Sequence, residues 1–142
     1  MKTLSIVATT FALLVITSAC GSKSGSNSAQ IGRPIASATV NNLTATLSNS
    51  TGQLKLGDQE VMLSFTDSSG KPIDVGAVSL NFHMPAMGGM AAMNDAVTLT
   101  TTDTPGVYRG KVNIGMAGEW QAQLAYEGPA GKGKTTFSVP AR

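Results

Sequence analysis

The sequence predicts an all-β domain, built as an antiparallel β-sandwich of about seven strands. From residue 36 to the end, short runs of alternating apolar and polar residues recur, as in strands that bury one face. Clusters of Gly, Pro, Asp and Ser separate these runs and predict turns. No run in that range has the apolar spacing of an amphipathic helix. We therefore expect no helix longer than two turns outside residues 1–19.

The strands follow one another at the spacing typical of an immunoglobulin-like fold. A first strand is expected around Thr39 to Leu47. The next ends at a strong turn, Asp-Ser-Ser-Gly-Lys-Pro, and Thr-Pro-Gly marks a later turn at 104–106. The strands after the first are expected at 61–65, 78–84, 97–99, 108–116, 120–124 and 137–139. The side chains expected to be buried between two sheets are Val61, Leu63, Phe65, Leu80, Phe82, Val112, Trp120, Leu124 and Phe137.

Residues 1–19 have the layout of a secretory signal peptide. A lysine precedes an apolar run from Leu4 to Ile16, and small residues stand before Cys20. The apolar run is shorter than a membrane span requires. Because Thr-Ser-Ala-Cys is similar to a bacterial lipobox, we expect Cys20 to be lipidated after cleavage. The alternative is an ordinary exported protein with a cysteine near its cleavage site.

Residues 20–34 are expected to form the lipidated cysteine and a flexible tether, because they are rich in Gly and Ser and lack apolar periodicity. The β-sandwich domain then covers residues 35–142. By resemblance to lipoprotein sorting rules, Gly21 permits an outer-membrane position facing the periplasm in a Gram-negative cell. In a cell with one membrane, the domain would lie on the extracellular face of the plasma membrane. We therefore expect a location in the cell envelope, with the membrane as a partner through the lipid anchor.

Charge and cysteine content exclude several classes of function. Without residues 1–19 the chain loses Lys2 and keeps nine of its ten basic residues beside eight acidic ones, so it has no basic field for nucleic acid. Cys20 is the only cysteine, which excludes an internal disulfide and a cysteine-based metal site. The single histidine has no carboxylate near it in sequence, and neither a catalytic triad nor a phosphate-binding Gly-rich loop is indicated. We therefore expect no enzymatic activity.

Residues 83–93, His-Met-Pro-Ala-Met-Gly-Gly-Met-Ala-Ala-Met, interrupt the strand pattern. They contain four of the seven methionines of the chain, one at every third position. Pro85 and the Gly88-Gly89 pair disfavour a helix, so the segment is expected to be a surface loop between two strands. Exposed methionines outside the cytoplasm are open to oxidation unless their sulfur atoms are used.

Thioether sulfur is a soft ligand that selects Cu(I) over Zn(II), Mg(II) or Ca(II). A loop with several thioethers could surround one ion, and an imidazole nitrogen could join them. The predicted metal ligands are Met84, Met87, Met90, Met93, Met116 and His83. Other interpretations stay open, because Met84 and Met116 share the parity of core residues, and the loop could be an adaptable contact patch or a flap over the sandwich. Met62 faces away from its apolar neighbours and is left out of the site.

Five short motifs occur in order between about residues 50 and 140. They are Lys55-Leu56-Gly57, Asp67 to Pro72, Ala77 to Leu80 leading into Met84-Pro85-Ala86-Met87, Pro105 to Tyr108, and Met116 to Trp120. Together they resemble the YtkA-like domain family, which is related to FixH. The resemblance implies an immunoglobulin-like sandwich in the bacterial envelope, associated with copper handling and cytochrome oxidase assembly.

The family motifs can be carried over by residue. The Met-Pro-x-Met pair falls on Met84 and Met87, and Met-x-Gly-x-Trp starts at Met116. Many relatives have a histidine a few residues after the second methionine, where this chain has Gly-Gly-Met, so the resemblance implies a more purely thioether site suited to Cu(I). The strands ending at Met84 and Ile114 run toward the same end, so Met116 is expected to face the methionine loop.

Two functions follow as expectations. The first is Cu(I) binding in the envelope for copper handling, delivery or tolerance, with a copper-receiving partner protein. The alternative is a non-catalytic interaction module of an envelope or respiratory-oxidase assembly complex, with the methionine loop as its contact surface.

Overall fold

The computed structural model describes residues 32–142. The expected signal peptide, Cys20 and the tether up to residue 31 lie outside the described residues. Within 32–142 there is no helix long and apolar enough to cross a membrane. The chain forms eight strands there: β1 Arg33–Val40, β2 Leu43–Asn49, β3 Gly57–Thr66, β4 Ala77–Met84, β5 Met93–Thr101, β6 Val107–Ile114, β7 Gly118–Gly128 and β8 Gly131–Ala141.

All ladders between these strands are antiparallel, in the order β1-β2-β3-β6-β5-β4-β7-β8. β1 also contacts β8, so the sheet is nearly closed. The prediction of an all-β, sandwich-like antiparallel fold is confirmed. The described residues have eight strands where about seven were expected.

The additional strand comes from the start of the domain. A single strand was predicted around Thr39 to Leu47, but a turn at Asn41-Asn42 divides this stretch between β1 and β2. Both asparagines have positive φ, 48° and 66°, as the central residues of a two-residue hairpin turn require. Asparagine tolerates this conformation better than most residues. β1 begins at Arg33, so Arg33 and Pro34 are part of the folded domain.

β5 joins the two halves of the sandwich. Its first part pairs with β4, up to Val97 opposite Leu80, and its second part pairs with β6, from Thr98 opposite Lys111. The first part of β5 therefore has no ladder with the end of β6. The two sheets separate there, and the space between them is closed by side chains rather than by backbone hydrogen bonds.

The core agrees closely with the sequence prediction. Eight of the nine side chains expected to be buried are buried, and Trp120, Phe65 and Phe82 are the largest with no exposed area. Phe137 is the exception: it packs against the core but is only half-buried, because β8 is a terminal strand in the sheet order with a ladder on one side only. Met62, expected to face away from the core, is nevertheless buried.

Strand direction places several loops at one end of the molecule. β4 and β6 run toward this end, and β1, β3, β5 and β7 start from it. We call it the methionine end and define it by Gly32, the loop 50–56, the hairpin tip 85–92, the turn 115–117 and Arg142. The other end carries the turns at 41–42, 67–76, 102–106 and 129–130.

Candidate functional site

The methionine segment is the tip of the hairpin formed by β4 and β5. Residues 85–92 are all exposed, which confirms the prediction of a surface loop for this part. The backbone N–H of Met87 donates to the carbonyl of Met90 at 3.2 Å, and the N–H of Met90 donates to the carbonyl of Met87 at 2.9 Å. Gly88 occupies the first central position of this two-residue turn. Its φ of +56° is a conformation that favours glycine at that position. The tip is thus an ordered, tight turn.

The hairpin keeps one register from the strands to the tip. Met84 lies opposite Met93, and Met87 lies opposite Met90. Residues directly opposite in an antiparallel pair have their side chains on the same face, about 5 Å apart at Cβ. The four thioethers therefore form two cross-strand pairs. Because the pairs are an odd number of positions apart, strand alternation places them on opposite faces of the hairpin.

The inner pair packs into the methionine end of the core. Met84 is 3% exposed, and Met93 is half-buried against the core. A Cβ atom at Gly115 would lie 3.2 Å from the terminal methyl carbon of Met93. A Cβ atom at Gly118 would lie 3.0 Å from the terminal methyl carbon of Met84. The hairpin and the turn 115–117 are therefore in contact, as the strand directions predicted.

Met116 lies in this turn and is half-buried against the core. The indole Nε1–H of Trp120 donates to the carbonyl oxygen of Met116 at 3.0 Å, and Trp120 itself has no exposed area. The buried indole thus fixes the backbone of the turn. Gly118 leaves room for the side chain of Met84. The Met-x-Gly-x-Trp motif has a structural explanation in these contacts.

The outer face of the hairpin carries the other candidate ligands. Met87 is 58% exposed and Met90 is 45% exposed. His83 is half-buried on β4, and its Nδ1 lies 2.8 Å from Oδ1 of Asn94, its cross-strand partner. A hydrogen on Nδ1 would be donated to this amide oxygen, and in that tautomer the Nε2 lone pair would be available to a metal ion. Metal-binding histidines are commonly oriented in this way.

The structure therefore divides the six predicted ligands. Met84, Met93 and Met116 lie at the junction of the hairpin and the turn 115–117. Met87, Met90 and His83 belong to the outer face. His83 and Met84 are neighbours in sequence but alternate across β4, so they do not share a face.

Other features of the described residues lie away from this end. A surface groove of about 500 Å³ lies at the opposite end, where β4 starts and β7 ends. Its lining residues include Ala77, Ser79, Ala125, Glu127 and Lys132. No single stretch of sequence predicts this groove, because its lining residues come from the three strands β4, β7 and β8. Among residues 32–142 no group of three or more His, Cys, Asp or Glu side chains could hold a metal ion.

The architecture defines a small antiparallel β-domain with methionines concentrated at one end. A family model described as YtkA-like matches residues 37–125, which include β2 to β6, the second half of β1 and most of β7. The chain belongs to the YtkA-like family, as the sequence motifs predicted. Comparison with curated proteins and with solved structures gave no match.

Proposed function

We propose that this protein is a non-catalytic, lipid-anchored domain of the bacterial envelope that binds Cu(I) through its methionines. The observation that carries the proposal is the concentration of methionine at one end: five of the seven methionines lie in the hairpin or in the turn it contacts. Thioethers are soft and uncharged, so a site built from them prefers Cu(I) to Zn(II). The role we propose for this Cu(I) binding is copper handling, delivery or tolerance.

The accessible ligands are expected to bind first. Met87 and Met90 form a cross-strand pair at the exposed tip, where an ion can reach both sulfur atoms. Two thioethers leave a Cu(I) ion with few ligands. His83 can add a nitrogen through Nε2 in the tautomer whose Nδ1–H donates to Asn94.

The inner methionines provide further ligands on the other side of the hairpin. Met93 and Met116 are half-buried and their side chains have partial access to solvent. Met84 is buried, so its sulfur can join only if its side chain leaves the core position. We therefore place Met84 last among the methionine ligands. Since a thioether has no proton to lose, Cu(I) affinity should depend little on pH where methionines dominate.

The test is a Cu(I) titration of the full mature protein against a competing chelator, with Zn(II) as the comparison metal. Replacing Met87 and Met90 together by leucine should weaken Cu(I) binding by more than about tenfold, equivalent to ~1.4 kcal/mol. Met116→Leu keeps the side-chain volume and removes the sulfur, so a loss of affinity there reports ligation rather than packing.

Met62→Leu is the matched control, because Met62 is buried in the middle of β3 and away from the methionine end. It should bind Cu(I) like the unmodified protein. If the double variant and Met116→Leu both keep full affinity, the methionines are packing or contact residues, and the copper proposal is wrong.

The second candidate is a protein-interaction module of an envelope or respiratory-oxidase assembly complex. The exposure of Met87 and Met90 supports it, since flexible thioether side chains adapt to partner surfaces. The same titration separates the two candidates, because an interaction module needs no preference for Cu(I) over Zn(II).

A further inference from the structure

The most exposed large apolar side chains of residues 32–142 lie at one end of the molecule. They are Leu56, Met87 and Met90, at 52%, 58% and 45% exposed. Leu56 directly precedes Gly57, which pairs with Ile114 at the end of β6. All three therefore lie at the methionine end, although they come from two separate loops. Large apolar side chains left exposed at the same end of a domain commonly mark a contact surface.

The chain also leaves the domain at this end. Arg33 starts β1 opposite Asn49, beside the loop that contains Leu56. Twelve peptide steps separate Gly32 from Cys20, and such a chain reaches at most about 40 Å. The longest strands have 11 residues, so the domain is about 36 Å long. A lipid on Cys20 would hold the domain within its own length of the bilayer.

The tether length alone does not select an orientation, because either end could reach the bilayer. Side chains do select one. Besides these exposed apolar side chains, the methionine end carries the exposed basic residues Arg33, Lys55 and Arg142, against the acidic residues Asp58 and Glu119. Apolar side chains with basic neighbours suit the interface of an anionic bilayer.

We propose that the methionine end docks on the lipid surface to which Cys20 is anchored, with Leu56, Met87 and Met90 entering the interface. This inference rests on the lipid anchor of the proposed function, and it is independent of copper binding. The turns at 41–42, 67–76, 102–106 and 129–130 then face away from the membrane. A metal held by the hairpin would lie close to the bilayer surface.

The experiment uses the full lipidated protein in vesicles of phosphatidylethanolamine and phosphatidylglycerol. Ser50→Cys and Ser68→Cys are matched positions, since both serines are exposed in loops, Ser50 at the methionine end and Ser68 at the other. Each cysteine carries the same fluorophore, while lipidation blocks Cys20. Vesicles with nitroxide-bearing lipid should quench the label at 50 several times more strongly than the label at 68.

Leu56→Ser tests the contact itself, because Leu56 is outside the proposed ligand set. In this variant the quenching at 50 should fall toward the value at 68, while Cu(I) affinity in solution stays unchanged. Equal quenching at the two labels in the unmodified sequence would overturn the docking and leave the copper proposal standing. Quenching at 50 that requires added membrane protein would also overturn it, because the occupant would then be a protein. If the lipidated protein fails to sediment with vesicles, both the lipid anchor and the docking are wrong.

Discussion

Gly118 determines how closely the hairpin approaches the turn 115–117. Its φ of +144° is rarely adopted by residues with a side chain, and an added Cβ would lie 3.0 Å from the methyl carbon of Met84. Gly118→Ala should therefore lower the free energy of unfolding by about 1–3 kcal/mol, as measured by urea denaturation. Gly89→Ala is the control, with no heavy atom within 4 Å of the added Cβ and no positive φ. It should change stability by less than about 0.5 kcal/mol.

Equal losses of stability in the two glycine variants would contradict this explanation. A double variant with Met84→Ala gives a further check. Removing the methionine side chain relieves the contact but not the backbone strain, so only part of the Gly118→Ala loss should be recovered.

Tyr108 connects β6 to the end of the loop before β4. Its hydroxyl donates to Gly76 O at 2.9 Å and lies 3.2 Å from Oδ1 of Asp74. Burial, followed by the negative charge of Asp74, raises the pKa of Tyr108 above its ordinary value of 10.0. A pKa that is raised in the folded state gives stability that is present below the unfolded pKa and is lost as pH rises through the folded pKa.

We therefore expect the unfolding free energy to fall above about pH 10. Urea denaturation of the unmodified protein and of Tyr108→Phe, at intervals from pH 7 to pH 11, measures the effect. The variant starts less stable because its hydrogen bonds are gone, but it should lose less stability between pH 10 and pH 11 than the unmodified protein. Parallel pH profiles would show that Tyr108 does not contribute to the alkaline loss.

The hairpin of β4 and β5 has two chemically different faces. Met87 and Met90 are strongly exposed, while Met84 and Met62 are 3% and 5% exposed. Mild peroxide should convert Met87 and Met90 to sulfoxides first, and Met84 and Met62 last, because the oxidant must reach the sulfur. Peptide mapping by mass spectrometry gives the order. Oxidation of Met84 as fast as Met87 would mean that the inner face opens frequently.

The strands differ in how far the sequence could predict them. Alternation in β4, β6 and β7 predicted the buried residues, because one face of each strand is in the core, whereas residues 61–65 of β3 are buried on both faces. The β1–β2 turn was missed because Asn41-Asn42 is a weaker signal than Asn-Gly, and the apolar residues on both sides continue the strand pattern. Only the left-handed φ values reveal the turn.

The site was predictable in composition and only partly in geometry. Parity indicated that Met84 points inward, and strand direction indicated that the turn with Met116 is a neighbour. The faces of Met87 and Met90 depend on the length of the hairpin turn, which sets the register of the whole tip. The tight two-residue turn at Gly88-Gly89 keeps Met87 and Met90 apart from Met84 and Met93. An open loop could have brought all four sulfur atoms together.

The β1–β2 turn helps to close the sheet. Nδ2 of Asn41 donates to Lys132 O at 2.8 Å and to the hydroxyl of Tyr126 at 3.3 Å, which joins the first hairpin to β7 and β8. Asn41→Gly keeps the turn conformation and removes these donors, so the unfolding free energy should fall by about 1 kcal/mol.

Asn42→Gly is the matched control for this closure. Asn42 also has positive φ, and glycine at the second central position is favoured in such turns. When both variants are compared with the unmodified protein by urea denaturation, Asn42→Gly should be neutral or slightly more stable. If Asn41→Gly is as stable as the unmodified protein, the contact between β1 and β8 depends on packing alone.

An even number of antiparallel strands returns a chain to the end from which it started. Gly32 precedes β1 at the methionine end, and the backbone N–H of Arg142 donates to Leu54 O at the same end. A reporter attached at Arg142 would therefore lie at the methionine end. The turn at Pro129-Ala130, between β7 and β8, is exposed at the far end and joins paired strands. Exposed turns of this kind accept inserted domains well, so it is the favourable position for an affinity tag or a fluorescent reporter.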